Sequence, residues 1–250
     1  MTLENKHALI TGGGTGIGLA IAHMLVERGA HVTITGRRQE VLEEVATKGM
    51  TAMAMDVRSE EDVMTKIATA VEARGPIQIC VPNAGIATGK AAHKTDMDFW
   101  RDMMATNLDG AFLTIRESLR SMRETDWGRV IAVSSMAGLK GLPGAACYSA
   151  SKHGMIGLIR SLSEEYMGKP YTFNSLCPGY VDTPIVTRNT ASISERAGIS
   201  EEEARNMMVK ANRHKRLITV EEVAAAAAWL VGPDSGSVNG QSVEIAGGMM

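Results

Sequence analysis

Five glycines fall within seven positions, 12–18, of the stretch "LITGGGTGIG". A glycine inside a helix costs roughly 1 kcal/mol relative to alanine, so a cluster of this density belongs in a turn. The preceding "ALIT" reads as the end of a strand, and "GIGLAIAHMLVERGA" reads as a helix that stops at Gly29. A strand that passes through a glycine-rich turn into a helix directs backbone N–H groups and the helix dipole toward one point, where an anionic ligand is favoured. In that setting the glycines point to a dinucleotide site.

The rest of the chain repeats the alternation. Short apolar runs predict strands at His7–Thr11, His31–Thr35, Thr51–Met55, Ile77–Pro82, Arg129–Ser134, Thr172–Leu176 and Ser242–Ile245. Longer amphipathic runs predict helices at Gly16–Arg28, Arg38–Lys48, Glu60–Arg74, Asp98–Arg123, Tyr148–Met167 and Val220–Val231. Strands separated by helices of this length imply right-handed crossovers and a parallel sheet covered on both faces. The expected architecture is α/β, a Rossmann-like doubly wound parallel sheet. No linker-like tract divides the 250 residues, so a single catalytic domain over 1–250 is expected. From Pro184 to Arg216 the chain is polar, helix-prone and without a strand. That length suits a mobile lid or a small subdomain better than a connection.

Composition narrows the function. The net charge is −2 with no basic block, against nucleic-acid binding and electrostatic attachment to membranes. The longest apolar run, Val223–Val231, is too short to span a bilayer, and "MTLENKHALI" has no apolar signal-like core. Cys80, Cys147 and Cys177 are odd in number, widely spaced and set in apolar surroundings, as expected of reduced thiols in a cytoplasmic protein. The six histidines show no metal-ligand spacing with them, so no metal is expected.

The spacing Gly12-x-x-x-Gly16-x-Gly18 resembles the TGxxxGxG of the short-chain dehydrogenase/reductase family. The resemblance extends along nearly the whole chain. "MDV" (55–57), "PNAG" (82–85), "TNLDGAF" (106–112), "VSSMAG" (133–138), "YSASK" (148–152) and "CPGYVDTP" (177–184) follow in the family's order. One departure is Pro82, which stands where the family's NNAG has its first asparagine. The resemblance implies a nicotinamide cofactor held by Gly12, Gly14, Thr15, Gly16, Ile17 and Gly18, by Asp56 and Val57 at the adenine, and by Asn83, Ala84 and Gly85. It also implies contact with the nicotinamide from Pro178, Gly179, Val181 and Thr183, and a homotetramer built through the long helices and the C-terminal region. The alanines of "AAAAAWLV" (224–231) offer a small-residue surface for such assembly.

Cofactor choice rests on the end of the second strand, where a carboxylate would repel a 2′-phosphate. Here that position is Gly36, and Arg37 follows it, which favours NADP(H), with NAD(H) still possible. Alternatively, Arg37 and Arg38 are solvated residues of a helix start. Thr15 stands where some NADP-binding relatives carry a second basic residue.

Tyr148 and Lys152 are four residues apart and share a helix face. An ammonium one turn from a phenol favours the phenolate, and a bound nicotinamide cation adds to this, so the pair can exchange a proton near neutral pH. Ser135, thirteen residues before Tyr148, ends a strand at the edge where ligands of such sheets bind. Its hydroxyl can steady a developing alkoxide. Ser134 competes for this role, and the family's spacing selects Ser135. Asn107 is expected in a helix whose apolar face includes Met103, Met104, Leu108 and Phe112. The resemblance implies that it holds a water linking Lys152 to solvent; a core asparagine satisfied by backbone is the other reading. His153 and Cys147 adjoin the pair but are not assigned to the chemistry.

The implied activity is NAD(P)(H)-dependent interconversion of a ketone and a secondary alcohol. The closest resemblance is to 3-oxoacyl-thioester reductases and 3-hydroxyacyl dehydrogenases, with polyketide ketoreductases and enzymes of other ketones or cyclic alcohols as alternatives. A nucleotide-sensing regulator without catalysis is the competing class; it would predict a damaged Ser/Tyr/Lys set. In the lid, Arg188, Arg196, Arg205, Lys210 and "RHKR" (213–216) are mixed with Glu195 and "EEE" (201–203). They form either a solvated face or, in part, a contact for the phosphates of a thioester carrier. Arg216 is expected to be structural.

Overall fold

The structure, a computed structural model, describes residues 2–248 apart from the Arg196 side chain. Its seven strands are β1 (His7–Thr11), β2 (His31–Gly36), β3 (Met50–Ala54), β4 (Ile77–Val81), β5 (Gly128–Val133), β6 (Tyr171–Pro178) and β7 (Ser242–Ile245). They form one sheet in the order β3-β2-β1-β4-β5-β6-β7, and every neighbouring pair is parallel. All residues of β1, β5 and β6 are buried, as a strand covered on both faces requires. The chain runs outward from β1 to β3 and then returns to the other side of β1 with β4. That reversal opens a crevice at the C-terminal ends of β1 and β4.

Two helical layers close the sheet. On one face α1 (Gly16–Glu27) and α9 (Val220–Leu230) bring Ile21, Leu25, Ala224 and Ala227 onto Ile34 and Ile131. On the other, α3 (Glu60–Arg74), α5 (Gly110–Met122) and α6 (Ala146–Glu165) bring Ile67, Ile115, Met155 and Ile159 onto Val130 and Phe173. Ala224 and Ala227 are thus spent within the chain. Only part of the small-residue stretch, with the half-exposed Trp229, faces outward.

Several boundaries differ from the sequence expectation. Helix α2 (Gln39–Val45) ends early, because Ala46 turns extended and Gly49 reverses the chain at φ 100°. β6 is longer at both ends, held by β5 from Tyr171 and by β7 to Pro178. The helix expected over Asp98–Arg123 is two helices, α4 (Met97–Met104) and α5, joined by a π-helical turn at Ala105–Asp109. Its buried side runs through Met103, Asn107, Ala111, Ile115 and Leu119 at spacings of four. Phe112, one residue and about 100° beyond Ala111, is not on that side. It is 45% exposed, with the Arg116 guanidinium 5.8 Å from its ring centre.

The strandless interval 184–216 holds α7 (Pro184–Ala197) and α8 (Glu201–Ala211). Pro184 begins α7, where its missing N–H costs nothing. Gly198 ends it in the left-handed region, and Ser200 and Glu203 form a capping box for α8. Val186, Met208 and Leu217 make a small separate core under these helices.

The first turn is close-packed. Gly12 and Gly16 adopt φ of 64° and 55°, which other residues rarely adopt. A Cβ at Gly18 would lie 2.5 Å from both the Gly12 carbonyl oxygen and the Asn83 amide nitrogen. Gly18→Ala must push α1 off β1. Overpacking of this kind costs about 1–3 kcal/mol, and each kcal/mol lowers Tm by about 2–4 °C in a chain of this size. A thermal melt of the variant unchanged from wild type would contradict this packing.

Candidate active site

The ends of β1 and β4 are locked together beneath the glycine turn. The Asn83 side chain donates to the carbonyls of Thr11 (2.9 Å) and Gly12 (3.1 Å), and Thr11 Oγ1 accepts the N–H groups of Asn83 and Ala84 at 3.0 Å. Pro82 leaves this lock intact, and its carbonyl accepts from Val133 N at 2.9 Å. Thr15 precedes α1 without capping it through its side chain, so the first N–H groups of α1 have no side-chain partner there. A cleft beside this turn is lined by Gly12, Gly14, Thr15, Arg37, Asp56, Val57, Ala84 and Gly85. Ile17 and Thr183 line the adjoining cavity, and a Cβ on Gly16 would stand 3.2 Å from Thr183 Cγ2. This glycine cradle at a helix N-terminus, narrowed wherever a side chain would be added, fits a dinucleotide.

At the outer end of the cleft Gly36 supplies no carboxylate, and Arg37 and Arg38 are exposed on the rim. Two residues not anticipated from sequence belong here. Arg58 grips Asp56 at 2.8 Å and Asp102 at 3.1 Å. The Asp56 carboxylate expected to meet the adenine is therefore already held by a guanidinium, which lowers its pKa. Among the described residues Arg37 makes no ion pair. No nearby sequence signal links Asp102 to Arg58, 44 positions away.

The residues expected to be catalytic gather where β5 ends and α6 begins. Ser134 and Ser135 diverge: the Ser134 hydroxyl donates to the Lys152 carbonyl at 3.2 Å, whereas Ser135 begins a 3₁₀ turn and its hydroxyl accepts Ala137 N–H at 3.1 Å. Ser135 is beside the Tyr148 phenol, and its hydrogen bond opposes the upward pull that burial exerts on the phenol's pKa. Lys152 is 4% exposed; its ammonium donates to Val133 O at 2.8 Å and stands 5.9 Å from the centre of the Tyr148 ring. Burial pulls its pKa down to about 8, so at neutral pH it remains an ammonium beside a neutral phenol. Gly85 packs against both Asn107 and Lys152: a Cβ there would meet Asn107 Oδ1 at 3.2 Å and Lys152 Nζ at 3.7 Å.

Asn107, fully buried within the π-helical turn, clamps one residue by both its backbone groups. Its Oδ1 accepts Ile86 N–H at 2.8 Å, and its Nδ2 donates to Ile86 O at 2.9 Å and to Ser151 Oγ at 3.1 Å. Both amide protons are thus used within the chain, and one acceptor lone pair remains. Asn212, missed from sequence, repeats the device. It accepts Tyr180 N–H (3.1 Å) and donates to the carbonyls of Tyr180 (2.9 Å) and Arg216 (2.8 Å), fastening the end of α8 to the loop after β6.

That loop carries Pro178, Gly179 and Val181 into a cavity of about 320 Å³ that also reaches Ser135 and Tyr148. His153 instead lies on the outer side of α6, against the Ser149 carbonyl. Burial pushes the thiols of Cys80 and Cys177 up to about 12 and about 11, so neither is a nucleophile near neutral pH. Of the basic residues in the 184–216 segment, Arg205 pairs with Asp182, and Arg216 binds Glu222 through two bonds of 2.7 and 2.6 Å. Lys210 and Arg213 are exposed.

The family profile described as short chain dehydrogenase matches residues 6–194. The chain is 34% identical to the D-beta-hydroxybutyrate dehydrogenase of Rhizobium meliloti, over 97% of this chain and 98% of that protein. It is 32% identical to a 3-oxoacyl-(acyl-carrier-protein) reductase of Vibrio cholerae, over 100% and 99%. A crystal structure of a variant actinorhodin polyketide ketoreductase with NADPH superposes with a TM-score of 0.94 at 33% identity, covering 98% of this chain and 97% of that one. The chain therefore belongs to the short-chain dehydrogenase family. It is an oxidoreductase of that class, whose members bind NAD(P).

The depressed Lys152 pKa has a measurable sign. Below about pH 8 the folded state bears the full cost of a buried ammonium. Between about 8 and the ordinary 10.5 the unfolded chain holds a proton that the folded chain has released, so this residue's contribution to stability rises with pH. In thermal melts of cofactor-free protein, the Tm of wild type minus that of Lys152→Met should rise from pH 7.5 to 10. A flat difference would contradict the assignment.

Proposed function

We propose that this protein is an NADPH-dependent ketoreductase that interconverts a 3-oxoacyl thioester and its 3-hydroxyacyl counterpart. The observation that carries the reading is the cavity between Tyr148 and α7. It is lined mainly by apolar residues, and among the described residues lining it none is charged. Such a cavity suits an uncharged acyl chain, and Ser135 and Tyr148 stand at one wall. The names of the reductase and ketoreductase relatives support the same class of substrate.

When bound, the nicotinamide supplies the hydride to the carbonyl carbon, or takes it back in the reverse direction. Tyr148 donates the proton to the carbonyl oxygen, and Ser135 hydrogen-bonds that oxygen as its charge develops. Lys152, fixed by the Val133 carbonyl, makes the resulting phenolate less costly and binds the nicotinamide ribose. Asn107 keeps Ile86 and the adjoining Gly85 in place beside Lys152, with one lone pair left for a water of the proton relay. The neutral, burial-raised phenol is a loaded acid near pH 7, which favours reduction. Arg37, exposed and without an ion pair among the described residues, recognises the 2′-phosphate, while Gly36 removes the repulsion that would exclude it. The intact set of Ser135, Tyr148 and Lys152 favours an enzyme over a nucleotide-sensing regulator. The reading extends to a single catalytic domain with a lid over 184–216, working as a homotetramer in the cytoplasm. The exposed Phe112 and Trp229 and the three buried thiols support this part. Lys210 and Arg213 face solvent, where they can meet the phosphates of a carrier.

NADPH oxidation followed at 340 nm with acetoacetyl-coenzyme A tests the reading. Wild type should turn over this substrate and prefer NADPH to NADH. Arg37→Ala should remove most of that preference, a loss of about 1.5–3 kcal/mol for a charge-assisted pair. Tyr148→Phe should keep cofactor affinity and lose at least about 100-fold in turnover. A preference for NADH, or near-normal turnover without the phenol, would defeat these assignments.

A further inference from the structure

We infer that Tyr180 and Asn189 form a second polar subsite, which binds the other carbonyl oxygen of a 1,3-dicarbonyl substrate and sets the preference for 3-oxoacyl derivatives over simple ketones. The inference deepens the proposed ketoreductase reading and rests on it.

The cavity beside Tyr148 is bounded on its far side by the loop after β6 and by α7. Along α7 the lining residues are Ile185, Val186, Asn189 and Ile193, a spacing that places them on one helix face. Three of the four are aliphatic, and the amide interrupts the stripe. The hydroxyl of Thr183, the other polar side chain on that wall, is occupied within the chain: its Oγ1 donates to Val181 O at 3.3 Å. The Asn189 amide and the Tyr180 hydroxyl have no such partner among the described residues, and both residues are half-buried in the cavity wall. An occupant that strips water from these groups must offer them a partner.

Tyr180 is held for this task. Asn212 grips its backbone at both ends, and its side chain packs against the clusters of Met136 and Ala246 and of Val186, Met208 and Leu217. It lines the same cavity as the Tyr148 phenol. Burial raises its own pKa, so it stays a neutral donor.

A substrate whose reactive oxygen meets Ser135 and Tyr148 carries its second carbonyl two carbons along the chain. Only one carbon separates the two carbonyls, so the second oxygen is offered to polar groups lining the same cavity as Ser135 and Tyr148, where Tyr180 and Asn189 lie. Two neutral groups suit an uncharged carbonyl oxygen. A free carboxylate would lose its hydration there without a counter-charge among the lining residues described. The class selected is therefore a thioester, ester or ketone of a 3-oxoacyl group, not the free acid.

The test compares wild type, Tyr180→Phe, Asn189→Leu and the double variant on acetoacetyl-N-acetylcysteamine and on 2-heptanone, with NADPH. The double variant should lose at least about tenfold in kcat/KM on the thioester, mainly through KM. Its kcat/KM on 2-heptanone should stay within about threefold of wild type. The single variants should fall between, and Tyr180→Phe carries the same comparison should the double variant fail to fold. Equal losses on both substrates would assign the two side chains to packing and overturn the subsite. An unchanged thioester rate would also overturn it, while the ketoreductase reading stood. A wild type that reduces 2-heptanone but not the thioester would defeat the 3-oxoacyl reading and the subsite together.

Discussion

One buried ammonium organises the functional end of this protein. Lys152 is almost fully enclosed, and among the described residues its ammonium donates one hydrogen bond, to the Val133 carbonyl at the tip of β5. A charge taken out of water is costly unless its surroundings are fixed in advance to receive it. The protein provides that fixity through close packing. The Ser134 hydroxyl reaches the Lys152 carbonyl, and Gly138 leaves no room for a side chain between them: a Cβ there would lie 2.7 Å from Ser134 Oγ and 2.8 Å from Lys152 O. Sheet and helix α6 meet at a distance that small residues alone allow.

The same economy appears at two further points. Asn107 and Asn212 each hold both backbone groups of one distant residue, Ile86 and Tyr180. A carboxamide can do this because it presents a donor and an acceptor side by side, like a strand neighbour. One clamp fixes Ile86 beside Gly85 and Lys152, and the other fixes the loop after β6 that lines the cavity. Between them lies the interval in which Tyr148 and Ser135 face an uncharged lining. Under the proposed function, rigid elements hold these side chains in place before any substrate arrives, which is how much of a catalytic advantage arises.

Local patterns made the sheet readable. The strand–glycine–helix opening and the alternation of apolar runs predicted all seven strands within a few residues, because each signal lies inside its own element. Tyr148 and Lys152 share a helix face at a spacing of four, a pattern common on exposed helices, and it is the family motifs around the pair that single it out. The features that were not legible depend on contacts between distant segments. Arg58 joins Asp56 to Asp102 across 44 positions, and Asn212 meets Tyr180 across 32. No periodicity marks either pair. The π-helical turn at Ala105–Asp109, which carries the clamping Asn107, has no local sequence signal either. Phe112 was misplaced on the buried side for a simpler reason: an apolar residue does not always face the core.

The proposed mechanism requires that, with the cofactor bound, the Lys152 ammonium lowers the pKa of the Tyr148 phenol. Four tyrosines in the chain make it directly measurable. Ultraviolet difference titration of wild type against Tyr148→Phe, with oxidised cofactor bound, isolates the Tyr148 phenolate. The same difference is then taken in the Lys152→Met background. The account predicts that phenolate formation moves to higher pH when the ammonium is removed. A Tyr148 titration at the same pH in both backgrounds would contradict it.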